Sequence, residues 1–325
     1  MKYLFFFVLV SIIFVSGCTQ TQTSQWEIQG RTDHRDGIFI MDLDGSNIRQ
    51  IHGSDLHLSE AVPSPDGKMI AFTEQEGRTL DDIHNSEIAV VNIDGTGYRK
   101  LTGNDWVDVQ PRWSADGREI MFLSTGGKQA GTDIYVMDLE GNILRQLTDT
   151  VGISEGDLDW KCGKVVHTRY HSIWMMDDDG SNQIEITDPP GRGTDVGVQF
   201  PLGDYDPNFS PDCSKVAFER LTGTGKTVGQ TSLGDYDLYV YDISSGTETD
   251  ISQNGDGDLL PEWSPNNKIL FVHLTDNRDD LYDIFVINPD GSGRRKVTGD
   301  DPLNFVEAGC AWLGDSVLFT GEFFE

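Results

Sequence analysis

Positive charge is scarce in this chain: 24 Lys and Arg stand against 54 Asp and Glu, a formal net charge of −30 over 325 residues. A surface of that sign repels phosphate backbones, so nucleic acid is not an expected partner; the same surface favours solubility and can hold cations. Helical periodicity is missing from about residue 37 onward, which removes helical architectures for that stretch. No GxSxG turn exposes a nucleophilic serine, so a serine hydrolase is unsupported. The stretch Thr222-Gly223-Thr224-Gly225-Lys226-Thr227 looks like the end of a phosphate-binding loop, but Arg220 stands where GxxxxGK[ST] needs its first glycine. The seven histidines show no tight metal spacing, and His167 and His171 lack a third partner. Asn254-Gly255-Asp256-Gly257-Asp258 alternates oxygen side chains as calcium loops do, yet lacks the following glycine and the distal bidentate Glu.

What is present is one phrase, repeated six times, at residues 38–52, 88–102, 134–148, 173–187, 238–252 and 284–298. The copy at 134–148 reads IYVMDLEGNILRQLT: an alternating apolar strand, a turn ending in Gly, and a second strand closing on an aliphatic residue and Thr. A hairpin alone cannot bury its apolar face, so the copies must pack on one another. Between them lies a second repeated element. It is clearest at Pro111-Arg112-Trp113-Ser114-Ala115-Asp116-Gly117, recurs at 207–212 and 261–266, and is weaker at 63–67, 159–160 and 311–312. Each copy precedes a short apolar strand.

Let the strand at the Trp motif be A, the next B, and the repeated hairpin C and D. The chain then runs C-D, five times A-B-C-D, and finally A-B. Joining the opening C-D to the closing A-B completes a sixth blade and leaves no strand edge free. The expected fold is all-β: a six-bladed β-propeller of four-stranded blades, closed by pairing of the N-terminal and C-terminal strands. The motifs PxWSPDG and IYVMDxDGxxxRxLT resemble those of the TolB-type six-bladed propeller, which also precedes the catalytic domain of prolyl-oligopeptidase-like enzymes. The resemblance covers residues 37–320 and implies the fold; TolB itself carries an α/β domain ahead of its propeller, where a short tether is expected here.

Residues 1–17 read as a secretory signal: Lys2 gives a positive start, residues 4–14 are nearly all apolar, and that run is short for a full membrane span. Val15-Ser16-Gly17-Cys18 resembles a lipobox, so Cys18 is the expected lipidation site and acyl chains there would hold the protein at a membrane. Residues 18–36 are the expected tether and 37–325 the propeller, standing off an extracytoplasmic membrane face in the periplasm or at the cell surface. Three further cysteines permit one disulfide; Cys162 and Cys213, in equivalent turn regions of successive blades, are the candidate pair.

The A-B and C-D turns are short, whereas the B-C and D-A connections are longer and share the other face, where binding residues are expected. Five residues before the strand-A aromatic stand Asp108, Glu155, Asp204, Asp258 and Glu307; three before it stand Glu60, Asp157 and Asp206. Strand A is innermost in such rings, so these carboxylates are expected to converge at one mouth of the central channel. Close like charges raise one another's pKa or recruit a cation, and hard oxygen ligands make Ca2+ the candidate ion. The expected function is a membrane-anchored binding scaffold without catalysis, recognising a protein, peptide or cell-envelope glycan through this acidic face. The alternative is a metal-assisted lyase or lactonase acting on a sugar or sugar acid at the channel mouth. That chemistry needs a general base and His or Asn ligands, and the carboxylate ring has no convergent histidine.

Overall fold

The computed structural model describes residues 34–76, 85–128, 131–150, 152–198, 200–228, 231–252, 257–277, 280–298 and 307–324. The expected signal, Cys18 and most of the expected tether lie outside the described residues. The chain opens with β1 (His34–Asp42) and β2 (Arg49–Ser54). Blade 1 follows as β3 (His57–Pro63), β4 (Met69–Gln75), β5 (Glu87–Asn92) and β6 (Arg99–Lys100). Blade 2 is β7 (Asp108–Trp113), β8 (Glu119–Ser124), β9 (Asp133–Asp138) and β10 (Ile143–Gln146). Blade 3 is β11 (Glu155–Lys161), β12 (Lys164–Arg169), β13 (Ser172–Asp177) and β14 (Ile184–Glu185). Blade 4 is β15 (Gly203–Phe209), β16 (Lys215–Val228), β17 (Thr231–Asp242) and β18 (Thr247–Asp250). Blade 5 is β19 (Asp258–Trp263), β20 (Ile269–Asn277), β21 (Asp280–Ile287) and β22 (Arg295–Lys296), and the chain ends on β23 (Glu307–Leu313) and β24 (Ser316–Phe324).

Each blade is one antiparallel four-stranded sheet, and the sixth has the order β2-β1-β24-β23. The expected closure is therefore what forms: β1 runs antiparallel to β24 from the pair His34–Phe324 to Asp42–Ser316. The first strands of the blades touch in succession, β3 to β7, β7 to β11, β11 to β15, β15 to β19, β19 to β23 and β23 back to β3, so they line a closed channel. Apolar side chains fill the seams between blades: Ile120, Phe122 and Tyr135 of blade 2 pack with Ala71, Ile88 and Val90 of blade 1, for example.

The sequence motifs act locally. Where a repeat closes on Thr, that Thr takes the N–H opening strand C, as in Ile88 N to Thr102 Oγ1 (2.9 Å), Ile134 N to Thr148 Oγ1 (2.9 Å) and Ile173 N to Thr187 Oγ1 (2.9 Å). Two of the strand-A Trp side chains reach across a seam: Trp113 Nε1 donates to Val62 O (3.1 Å) and Trp312 Nε1 to Glu262 O (3.0 Å). The Ser-x-Asp turn after it is tied by Ser114 Oγ to Asp116 Oδ1 and by Ser210 Oγ to Asp212 Oδ1, both 2.8 Å. Cys162 and Cys213 are joined in a disulfide that bridges the A-B turns of blades 3 and 4, with Cα atoms 6.5 Å apart.

One column of strand B departs from pattern. Phe72, Phe122, Phe218, Phe271 and Phe319 hold equivalent buried positions, and in blade 3 the same position is His167, also wholly buried. Register confirms the equivalence, since Phe122 faces Tyr135, Phe218 faces Tyr239 and His167 faces Trp174. Neither ring nitrogen of His167 has a partner. Burial lowers its pKa from the ordinary 6.5 to about 4. A histidine depressed in the folded state binds fewer protons than in the unfolded chain, so its contribution is lost as pH falls from about 6.5 towards 4. His167→Phe should raise the melting temperature at neutral pH. It should also flatten the acid-side decline by up to roughly 3 kcal/mol, read from melts across that interval.

Candidate functional site

The channel wall is built on a repeated irregularity. Pairing of strands A and B slips between Ser59 and Val62, Val109 and Arg112, Gly156 and Leu158, Tyr205 and Asn208, and Leu259 and Glu262. The residue at each slip is left-handed although none is glycine: Glu60 (φ 55), Gln110 (φ 57), Asp157 (φ 41), Asp206 (φ 49) and Leu260 (φ 54). Such a residue costs on the order of 1 kcal/mol and persists where its surroundings over-determine it. Here the preceding blade supplies the restraint. Gln110 N donates to Glu60 Oε2 (2.7 Å), which also accepts from Thr73 Oγ1 (2.8 Å), and Leu260 N donates to Glu219 Oε2 (2.8 Å).

A bulge breaks the two-residue alternation of a strand. The carboxylates five and three residues before the aromatic therefore part company, which corrects the expectation of one convergent set. Asp108 accepts from Ser124 Oγ and Asn104 Nδ2 (2.9 Å). Glu155 accepts from Thr150 Oγ1 (2.9 Å), with Arg169 Nε 3.8 Å away. Asp204 holds Arg220 through two bonds of 2.5 and 2.8 Å. Asp258 holds His273 (2.7 Å) and Arg294. All four are almost wholly buried, and each finds its partners beside its own blade, so they do not meet. Burial pushes Glu155 up to about 7 and raises Asp108 and Asp204, with Thr150, Ser124 and Arg220 respectively opposing. The side chain of Glu307 lies outside the described residues.

The other three predicted acids do come together, with two members the sequence reading missed. Glu60, Asp157 and Asp206 stand on blades 1, 3 and 4, and Gln110 of blade 2 completes the arc by donating Nε2 to Asp157 Oδ1 (3.0 Å). Glu219 comes from β16, where the corresponding residues are Thr73, Leu123, Thr168 and Val272. Gln110 was legible as a fourth polar residue in the same column; Glu219 was legible as a charge in an otherwise uncharged one. Four buried oxygens of this ring have no hydrogen-bond partner: Glu60 Oε1, Gln110 Oε1, Asp157 Oδ2 and Asp206 Oδ2. Asp157 and Asp206 are raised above the usual carboxylate range, first by burial; Glu60 adds repulsion at Asp157 against bonds from Gln110, Thr168 and the Asp206 amide, and Asp157 and Glu219 add it at Asp206 against Arg112. Glu219 is raised by burial and repelled by Asp157, against its bond from Leu260 N.

A second layer of mixed charge lies two residues further along strand A. Asn208 Nδ2 donates to Glu262 Oε2 (2.8 Å), Phe209 N to Asp159 Oδ2 (2.7 Å) and Lys161 Nζ to Phe209 O (3.2 Å). Glu262 is pushed up to about 7 by burial and by Asp159, with Arg112 and Lys161 opposing. Among the described residues, no three His, Cys, Asp or Glu side chains close on a single point, so a cation in the channel would keep part of its water shell or be a larger organic group. His167 is enclosed in the blade, and His171 packs its ring against Tyr205, with Nδ1 3.1 Å from the phenol oxygen.

No protein-family model matches this chain. Its fold is similar to that of the putative TolB from Agrobacterium tumefaciens, at TM-score 0.67 and 16% identity, covering 90% of this chain and 99% of that one. TolB from Acinetobacter baumannii matches at TM-score 0.59 and 16% identity, over 83% of this chain and 65% of that one. A chain from a nidogen/laminin complex matches at TM-score 0.56 and 11% identity, over 81% and 94%. The structural neighbours are thus TolB-type six-bladed propellers, and the fold read from the repeats is borne out.

The two carboxylate sets should separate by mutation. Asp204→Ala leaves the buried Arg220 with Glu248 alone (2.8 Å) and should cost about 3 kcal/mol in chemical denaturation. Asp206→Asn removes an uncompensated charge and should leave stability at neutral pH unchanged or raised.

Proposed function

We propose that this chain is an extracytoplasmic binding propeller that takes a cationic group at the mouth of its channel, with Ca2+ or a basic side chain of a protein or peptide partner as the occupant. The single observation that carries the reading is the arc of four unpartnered oxygens, on four successive blades, in a bulge that repeats around the ring. Buried acceptors without donors are costly and uncommon, and an entering cation would satisfy them. A net charge of −30 draws cations to the channel from a distance. A protein partner is consistent with the matched chain from the nidogen/laminin complex, and with propellers of like fold named TolB.

Export and anchoring rest on residues 1–18, with Cys18 as the lipid-bearing residue. The Cys162–Cys213 bridge supports an oxidising compartment. The lyase or lactonase reading gains nothing from the geometry, since neither His167 nor His171 reaches the ring.

Calcium chloride titrated into the intact protein should give heat and raise the melting temperature, and Asp157→Asn with Asp206→Asn should abolish both. Neither heat nor stabilisation in the wild type would remove Ca2+ as the occupant. Crosslinking in native membranes should capture a partner that the same double variant fails to retain.

A further inference from the structure

Beyond the ring, the channel carries bases. Arg112 of β7 and Lys161 of β11 stand further along strand A on adjacent blades, and both side chains are half-buried. Both act on Glu262 of blade 5, and Arg112 acts also on Asp206 of blade 4, so their positive ends project towards the opposite wall. Each makes one hydrogen bond, and to a backbone carbonyl: Arg112 Nη1 to Pro111 O (2.9 Å) and Lys161 Nζ to Phe209 O (3.2 Å). Among the described residues neither is ion-paired. Elsewhere Lys128, Arg145, Lys215 and Arg220 each hold a carboxylate. In a chain with 54 acids for 24 bases, two unpaired bases inside a channel need a reason.

The acids of the same layer are otherwise engaged. Asp159 takes Phe209 N on Oδ2 (2.7 Å) and Trp160 N on Oδ1 (2.9 Å), and Glu262 takes Asn208 Nδ2 (2.8 Å). They balance the charge of the layer without occupying its donors. A guanidinium has five N–H groups and an ammonium three, so most donors of Arg112 and Lys161 are left to channel water. A carboxylate that displaced this water would gain charge-assisted bonds. Nor does the fold need a base here. Val62, Asp159, Asn208, Glu262 and Ala311 hold the place of Arg112 in the other blades, as their strand-B partners show. Asp159 and Asn208 use it to accept an amide of the next blade, Phe209 N and Trp263 N (both 2.7 Å). Arginine has no acceptor to offer, and Val62 and Ala311 show that an apolar side chain fits.

We propose that the channel takes a zwitterionic ligand, with its ammonium at the ring and its carboxylate on Arg112 and Lys161. This rests on the cation-binding reading above and adds the second pole of the occupant. Two residues of strand separate Gln110 from Arg112, so the poles of the ligand stand roughly 7 Å apart. An ω-amino acid has that form, and so does the lysine that ends a peptide, through its side chain and its terminal carboxylate. A zwitterion has no net charge, so the field of a −30 protein does not repel it as it repels a simple anion.

Calorimetric titration of the intact protein with 6-aminohexanoate, hexylamine and hexanoate reads the two poles separately. The zwitterion should bind at least about tenfold more tightly than hexylamine, the scale of one hydrogen bond to a charged group, and hexanoate should give no heat. Arg112→Gln keeps a donor for Pro111 O. It should bring 6-aminohexanoate down to the level of hexylamine while hexylamine binds no more weakly than to the wild type, which also reports a folded variant. Lys161→Gln should act in the same direction. Nα-acetyl-lysine tests the peptide source: binding tighter than 6-aminohexanoate assigns the poles to a chain ending in lysine, and weaker binding assigns them to a free ω-amino acid. If 6-aminohexanoate binds no more tightly than hexylamine, or Arg112→Gln weakens both alike, the carboxylate pole is overturned and the cation reading stands. If neither amine binds, the ring takes no organic cation and the zwitterion falls with it, while calcium is judged by its own titration.

Discussion

The antiparallel pairing of β1 with β24 is the constraint on which everything else depends. It runs from His34–Phe324 to Asp42–Ser316 and joins the two ends of the described chain into one sheet. Only a shut ring gives blade 6 two neighbours. Trp312 then reaches back to Glu262 O on blade 5, and Arg295 of blade 5 reaches Leu43 O beyond β1 (3.1 Å). Loop-closure entropy is committed once, at this seam, and the other seams join residues much closer in sequence. The channel is a consequence: strands A meet around an axis because no blade can move outward without opening a sheet.

Within that ring, the bulge in strand A sorts charge by use. Its left-handed residue faces the channel, and the carboxylate two residues earlier turns into the blade. The inward-turned acids are wired to cations or hydroxyls, as Asp204 is to Arg220 and Asp258 to Arg294. They tie the D-A connection to its own sheet. Glu60 instead anchors the next blade's bulge amide with one oxygen and leaves the other bare. Asp157 likewise takes Gln110 Nε2 on one oxygen and leaves the other bare.

The fold was legible because hairpin chemistry is local and repeats. Asp-Gly turns, the closing Thr that takes the strand-C amide, and the seam-crossing Trp recur at fixed spacing, and counting strands reveals the closure. The site was legible by column but not by orientation. Counting residues back from the aromatic found Asp108 and Asp206 alike, and strand alternation would place them on one face. The bulge between them reverses that, and a bulge leaves no composition signal when its left-handed residue is Glu, Gln, Asp or Leu in place of glycine. Glu219 and His167 were hidden for another reason. Each is an exception within its strand-B column, visible after the blades are superposed and silent in the linear motif.

Leu260 decides why the uncommitted oxygens matter. It occupies the same bulge, at the same left-handed φ of 54, and its amide is anchored in the same way by a carboxylate of the preceding blade. An apolar side chain is therefore compatible with this slot in the fold. A carboxylate there is not required by backbone geometry, and the bare oxygen it buries costs free energy that leucine does not. Elsewhere buried acids such as Asp204 and Asp258 are given arginines, whereas the ring acids are not. Glu60, Gln110, Asp157 and Asp206 keep these lone pairs at a cost to stability, which an entering cation of the kind proposed above would offset.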